Sequence, residues 1–294
     1  MNAADIPGCP PPDPEPRPPK FGVPPGACDC HAHLFGPPAK YPYSPKRGYT
    51  PPDALLADFV RVQATLGLDR CVLTQPSVYA TDNGALMDGL GLLGDRARGV
   101  AAVGADVTDA ELERLHGGGV RGIRVNLVDR GGMPFDGIAD VYRMGARIKD
   151  MGWHIELLIH VADEPDLKEI FAGFPVDTVV GHLGYIKAGI GVDHPGYRAF
   201  LDIVRDGHCW VKLSGAYRVT AREAPPYDDV TPYAQALAAA RPDRIVWATD
   251  WPHPWYYKTM PNDGYLLDQL VDWGFDDALR ARILVENPAE LYGF

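Results

Sequence analysis

Two histidines one residue apart, His31 and His33, stand in the run Cys28-Asp29-Cys30-His31-Ala32-His33. An acidic partner, Asp250, lies near the other end of the chain in Trp247-Ala248-Thr249-Asp250-Trp251-Pro252-His253-Pro254. Side chains at i and i+2 of a strand share a face, so both imidazoles can enter one site. Imidazole nitrogens beside a carboxylate suit two chemistries: holding a metal ion, and hydrolysing a lactone or amide by proton transfer.

A scaffold must bring these ends together. From residue 27 onward, β-branched runs alternate with helical patterns. Strands are expected at 27–34, 70–75, 99–105, 120–128, 154–161, 178–184, 209–215 and 244–250. Helices are expected near 53–67, 82–95, 109–117, 137–151, 164–173, 195–206, 231–240 and 276–286. Asp82, Asp109 and Asp163 stand near helix starts, and Gly117-Gly118-Gly119 is a helix stop. Strand followed by helix, eight times over, predicts a parallel sheet closed as a single TIM-like (β/α)₈ barrel. A doubly wound open sheet is disfavoured, because no Gly-x-Gly-x-x-Gly turn follows the first strand. Residues 27–294 therefore read as one barrel domain. Residues 1–26 contain the run Pro10-Pro11-Pro12-Asp13-Pro14-Glu15-Pro16, which can form neither helix nor central strand. They read as an extended N-terminal arm, loose rather than wrapped on a neighbouring subunit.

Strand parity then sorts side chains. If His31 and His33 face inward, Asp29 does too, and Cys28, Cys30 and Ala32 face the helices. On the fifth strand Ile155, Leu157 and Ile159 make an apolar outward face, which turns Glu156, Leu158 and His160 inward. His160 and His182 then stand near the C-terminal mouth, where sites sit in this fold. Arg124 and Asn126 share one face of the fourth strand. A guanidinium within an apolar strand is costly to bury without an anion, so Arg124 marks an anion site, and Arg130 in the following loop can complete a carboxylate fork. A lone histidine at a strand end is usually structural, and His160 is equally open to that reading. His116, His154, His194 and His208 read as loop or surface residues without a role.

Composition narrows the classes. The 294 residues include 23% charged and 46% hydrophobic residues, ordinary for a globular protein. The net charge of −11 argues against nucleic acid as a partner but allows an anionic substrate at a local arginine cluster. No apolar run is long enough to span a membrane, and no signal-peptide pattern opens the chain. Five cysteines without framework spacing fit a reducing compartment, so a cytoplasmic location is expected. The oligomeric state is open between a monomer and a small homo-oligomer.

Several long motifs carry a resemblance. They are residues 24–37 around the histidine pair, Tyr41-Pro42-Tyr43-Ser44-Pro45, Thr81-Asp82-Asn83, residues 119–124, His182-Leu183-Gly184 and residues 249–254. Through them the chain resembles the amidohydrolase superfamily, in the branch containing 2-pyrone-4,6-dicarboxylate lactonase. The resemblance implies a barrel enzyme opening a carboxylated lactone, with His31, His33, His182 and Asp250 around the reacting carbonyl. It implies that Arg124, Arg130, Tyr49, Ser77 and Arg218 grip the substrate acid groups. The resemblance to the dicarboxylate lactonase also implies that no metal is required, the histidines polarising the carbonyl themselves. At most one divalent cation such as zinc would be held here by His31, His33, His182 and Asp250, because residues 120–128 offer no bridging lysine or glutamate.

The chain also departs from the branch at Glu156, Leu158 and His160, around Ser77, and at Tyr217-Arg218. A related but different lactone is therefore expected. The mechanism expected is general-base attack of water driven by Asp250. Alternatives are an isomerase interconverting aldarolactone ring sizes, a metal-dependent sulfomuconolactone hydrolase or decarboxylase, and a catalytically silent binding protein.

Overall fold

The computed structural model describes residues 6–128, 135 and 137–294. Eight parallel strands follow one another around a single sheet in chain order: β1 Cys28–Ala32, β2 Arg70–Thr74, β3 Ala97–Ala101, β4 Val120–Asn126, β5 His154–Leu158, β6 Thr178–Val180, β7 Cys209–Leu213 and β8 Ile245–Trp247. Between them run α1 Leu56–Leu66, α2 Gly84–Leu93, α3 Asp109–Gly117, α4 Ile138–Ile148, α5 Leu167–Ala172, α6 Pro195–Asp206, α7 Ala216–Val219 and α8 Thr231–Ala240. After β8 come α9 Asp263–Asp272, α10 Asp277–Ala281 and α11 Asn287–Tyr292. The expected (β/α)₈ barrel is the fold. Closure runs through two backbone hydrogen bonds, Asp250 N to His31 O at 2.9 Å and His33 N to Trp251 O at 2.8 Å. The seam thus joins the two motifs that the sequence placed at opposite ends of the chain.

Two apolar layers support the barrel. Cys71, Leu73, Ile123, Val125, Ile155 and Leu157 belong to the large layer beneath the helices. The alternate residues Val72, Val100, Val179 and Val246 form a second cluster with Trp210, inside the barrel, and Tyr292 of α11 plugs it from the N-terminal end. A strand buried on both faces reads as a nearly continuous apolar run, as these do.

The structure corrects the parity of β1. Cys28 and Cys30 belong to the inner cluster, not to the helix layer. The pairing of β1 with β2 slips between Asp29 and Ala32, and this irregularity resets the alternation. Asp29 instead accepts hydrogen bonds from Thr249 N at 3.0 Å and from Thr249 Oγ1. On β5 the parity is as expected. His154, however, is no surface residue: it sits on β5 and is 2% exposed, beside Tyr292.

Other departures concern ends and late helices. β8 stops at Trp247, and α5 starts at Leu167 rather than 164, four residues beyond Asp163. The helix α9, capped by the Asn262 side chain on Gly264 N, lies in a stretch where none was expected. The described part of the arm lies along its own barrel. Arg17 pairs with Asp268 at 2.6 Å, Lys20 N donates to the same carboxylate, and Cys9 N donates to Thr50 O at 2.8 Å. No described helix is long and apolar enough to cross a membrane.

Candidate active site

Asp250 occupies the centre of the C-terminal mouth. Its backbone is left-handed (φ 65°), as is that of His182 (φ 51°), a conformation that costs non-glycine residues energy and clusters at working sites. The peptide hydrogen bonds of the β1–β8 seam hold Asp250 against His31 and His33. Oδ1 lies 3.6 Å from His31 Nε2 and 3.5 Å from His33 Nε2. Oδ2 accepts from Tyr217 Oη at 2.6 Å and from Arg218 Nε at 2.7 Å, with His182 Nε2 at 3.9 Å. Burial alone would raise the Asp250 pKa. The Arg218 charge, followed by His182 and the His33 hydrogen bond, outweighs it and holds the carboxyl well below the usual range.

The three histidines are buried, and burial disfavours their charged forms. It lowers His182 to about 3 and moves His31 and His33 below their ordinary value. Each is oriented from behind. His33 Nδ1 lies 2.7 Å from Thr74 O, so it must donate, leaving Nε2 as the acceptor. His182 Nδ1 meets Ser214 Oγ at 2.9 Å. His31 Nδ1 faces both Glu156 Oε1 at 3.0 Å and Lys212 Nζ at 3.1 Å, two groups that also pair with each other.

His31 therefore supports two hydrogen-bond arrangements. If Lys212 donates to Nδ1, His31 carries its proton on Nε2. It can then donate to His33 Nε2, 3.2 Å away, and the run Lys212–His31–His33–Thr74 is satisfied. If Nδ1 donates to Glu156 instead, lone pairs on Nε2 of both histidines face the carboxylate. That second arrangement is what a cation needs. Ligand atoms of His31, His182 and Asp250 all lie within 4.8 Å of one another. The donor set fits one divalent cation, with His33 beside it rather than in the group.

The substrate side is a cavity of about 330 Å³ above these groups. Tyr49, Ser77, Arg124 and Arg218, which the resemblance assigned to gripping the substrate, all line it, together with His33, His182 and Asp250. Arg124 is fixed by donating to Gln75 O at 2.9 Å. His160 does not line the cavity: its Nδ1 contacts Tyr185 O at 3.2 Å, and Tyr185 is the ring between it and His182. Arg130 lies outside the described residues. Sequence reasoning missed Lys212, although a lone lysine in Trp210-Val211-Lys212-Leu213 was a readable signal, and it gave Tyr217 and Glu156 no role.

Comparison with known proteins places this geometry. The amidohydrolase family model matches residues 28–294, and the chain belongs to that family. It is 37% identical over 285 residues to the 2-pyrone-4,6-dicarboxylate hydrolase of Comamonas testosteroni, covering 94% of this chain and 93% of the relative. It is 36% identical to the 4-sulfomuconolactone hydrolase of Hydrogenophaga intermedia (94% and 92% covered) and 31% identical to the D-galactarolactone isomerase of Agrobacterium fabrum (93% of each). These three relatives all act on lactones.

Among solved structures, a probable 2-pyrone-4,6-dicarboxylic acid hydrolase from Acinetobacter baumannii, with citric acid bound, superposes with a TM-score of 0.78. It is 26% identical, with 92% of this chain and all of that one covered. A Burkholderia multivorans amidohydrolase with bound zinc shares the fold at a TM-score of 0.70 and 20% identity, covering 91% and 99%.

Proposed function

We propose that this protein is a lactonase that opens a lactone bearing acid groups by general-base attack of water. The observation that carries this reading is the division of labour on Asp250. Tyr217 and Arg218 hold Oδ2, while Oδ1 faces the histidine nitrogens at the cavity floor. A lactone ring enters with its acid groups on Arg124, assisted by Tyr49 and Ser77, and a guanidinium suits carboxylate or sulfonate oxygens. Arg130 and His160, expected from sequence to help in binding, are not assigned a part in this reading.

Asp250 Oδ1 takes a proton from water, and the resulting hydroxide forms a bond to the carbonyl carbon. The carbonyl oxygen takes the electron pair, stabilised by N–H donation from His182 Nε2 when Ser214 donates to its Nδ1. Collapse breaks the ring C–O bond, and the leaving oxygen recovers the proton from Asp250. General-base help of this kind contributes about 10² to 10⁴ in rate.

This route needs no resident metal, a reading supported by the Arg218 charge on Asp250 and by the satisfied Lys212–His31–His33–Thr74 run. A divalent cation, where bound, would be held by His31, His182 and Asp250 and would polarise the carbonyl.

The experiment is a turnover screen over pyrone dicarboxylate, muconolactone, sulfomuconolactone and aldarolactone substrates, with and without chelator, beside metal analysis of the purified protein. Turnover that survives chelation on metal-free protein is expected. Loss that only added zinc restores would overturn the metal-free route. The isomerase relative favours a second reading on the same site, in which a substrate hydroxyl replaces water. Following ring size and free acid separately distinguishes the two.

A further inference from the structure

Behind Asp250 lies a second set of polar groups, wholly enclosed, that the hydrolysis above leaves unused. His253 and Asp263 are both 0% exposed, and neither lines the substrate cavity. His253 is three residues beyond Asp250, and its own backbone is left-handed (φ 60°), which turns the imidazole back beneath the site. Its Nδ1 is 3.1 Å from Tyr217 Oη, the hydroxyl that lies 2.6 Å from Asp250 Oδ2. On the far side, His253 Nε2 is 3.2 Å from Asp263 Oδ1, at the first residue of α9. That approach is close but off the ring-nitrogen direction, so it is a polar contact and not an aligned hydrogen bond.

Donor and acceptor capacities fix the direction of this chain. An ionised Asp250 can only accept, so Tyr217 donates its single proton to Oδ2. Its oxygen must then accept from His253, which requires the hydrogen of that imidazole on Nδ1. An apolar residue at position 253 would leave the Tyr217 hydroxyl free to rotate away from the carboxylate, and Oδ2 would lose a donor.

We infer that His253 is a positioning residue that locks the Tyr217 proton onto Asp250 Oδ2 and so leaves Oδ1 as the working oxygen. This rests on Asp250 being the general base. Hydrogen bonds to a charged group are worth roughly 10- to 100-fold in an equilibrium or rate. His253→Leu should therefore lower kcat by about that factor with little change in KM. His253→Asn places an amide N–H near the former Nδ1 and should restore most of the loss. Tyr217→Phe removes the only group through which His253 acts, so the His253→Leu/Tyr217→Phe double variant should be no slower than Tyr217→Phe alone.

Kinetics of these four variants on the best substrate of the screen, normalised to folded protein by thermal unfolding, form the test. Additive losses, or a His253→Leu variant with unchanged kcat, would overturn the inference. A readout independent of turnover runs beside it: long-range ¹H–¹⁵N spectra of histidine-labelled protein, with His253 assigned by difference from His253→Asn. A protonated Nδ1 that shifts in Tyr217→Phe is expected, and an unprotonated Nδ1 refutes the arrangement. A wild type inert toward every lactone would sink the lactonase reading instead, while the spectra would still decide the position of the proton.

Discussion

Lys212 of β7 and Glu156 of β5 form an ion pair inside the barrel, and both contact His31 Nδ1. Lys212 is 0% exposed and Glu156 2%. Burial would raise the Glu156 pKa, but the Lys212 charge, then His31 and Arg124, hold it well below the ordinary value. Breaking such a pair strands a charge, at a cost of about 3–5 kcal/mol, whereas apolar residues of similar size can replace both members with little loss. Lys212→Met should lower the urea midpoint accordingly, and Lys212→Met/Glu156→Leu should recover most of it. A double variant as unstable as the single one would contradict this account of the pair.

Asp250→Asn keeps the shape of the carboxylate and removes its basicity. Turnover should fall by about 10² to 10⁴. Substrate binding, followed by equilibrium titration, should change little, since Arg124 and its neighbours are untouched. Near-normal turnover would remove Asp250 from the role of base.

Arg218 heads the charges that depress the Asp250 pKa, ahead of His182 and His33. The acid limb of kcat/KM in the wild type should therefore lie below the usual carboxylate range. In Arg218→Met the carboxyl pKa rises, and the limb moves to higher pH. Profiles of the two proteins with coincident acid limbs would show that Arg218 does not set the protonation of the base.

Arg124→Met separates binding from chemistry. Its guanidinium reaches the cavity from β4, where Nη1 donates to Gln75 O and so fixes the direction of the side chain. KM for an acid-bearing lactone should rise by roughly 10-fold or more, the scale of a lost charge-assisted hydrogen bond, while kcat falls less. An unchanged KM would take Arg124 out of the substrate's reach.

The barrel was legible because alternating strand and helix periods repeat eight times, and the site because strand ends deliver His31, His33, His182 and Asp250 to one mouth. What failed has local causes. Parity misplaced Cys28, Cys30 and Asp29 because a register slip in β1 leaves no mark in composition. His154 reads as a surface residue because a polar residue at a strand start looks like a loop. The His253–Asp263 contact was hidden for another reason: it joins a left-handed turn to the start of α9, a helix not anticipated.

His154 supplies a pH prediction that involves no catalytic group. It is buried on β5, and neither ring nitrogen has a hydrogen-bond partner among the described residues. Burial lowers its pKa to about 4, against about 6.5 in an unfolded chain. The unfolded state therefore binds the proton first as pH falls, and stability contributed above the unfolded value is lost between about 6.5 and 4. The loss between pH 7 and pH 5 from this residue alone is about 2 kcal/mol. His182, lowered to about 3, adds to the same slope in both proteins being compared. In His154→Leu the stability measured by urea unfolding should depend less steeply on pH across that interval. Parallel pH profiles for the wild type and His154→Leu would show that the imidazole is not held neutral by its burial in the barrel.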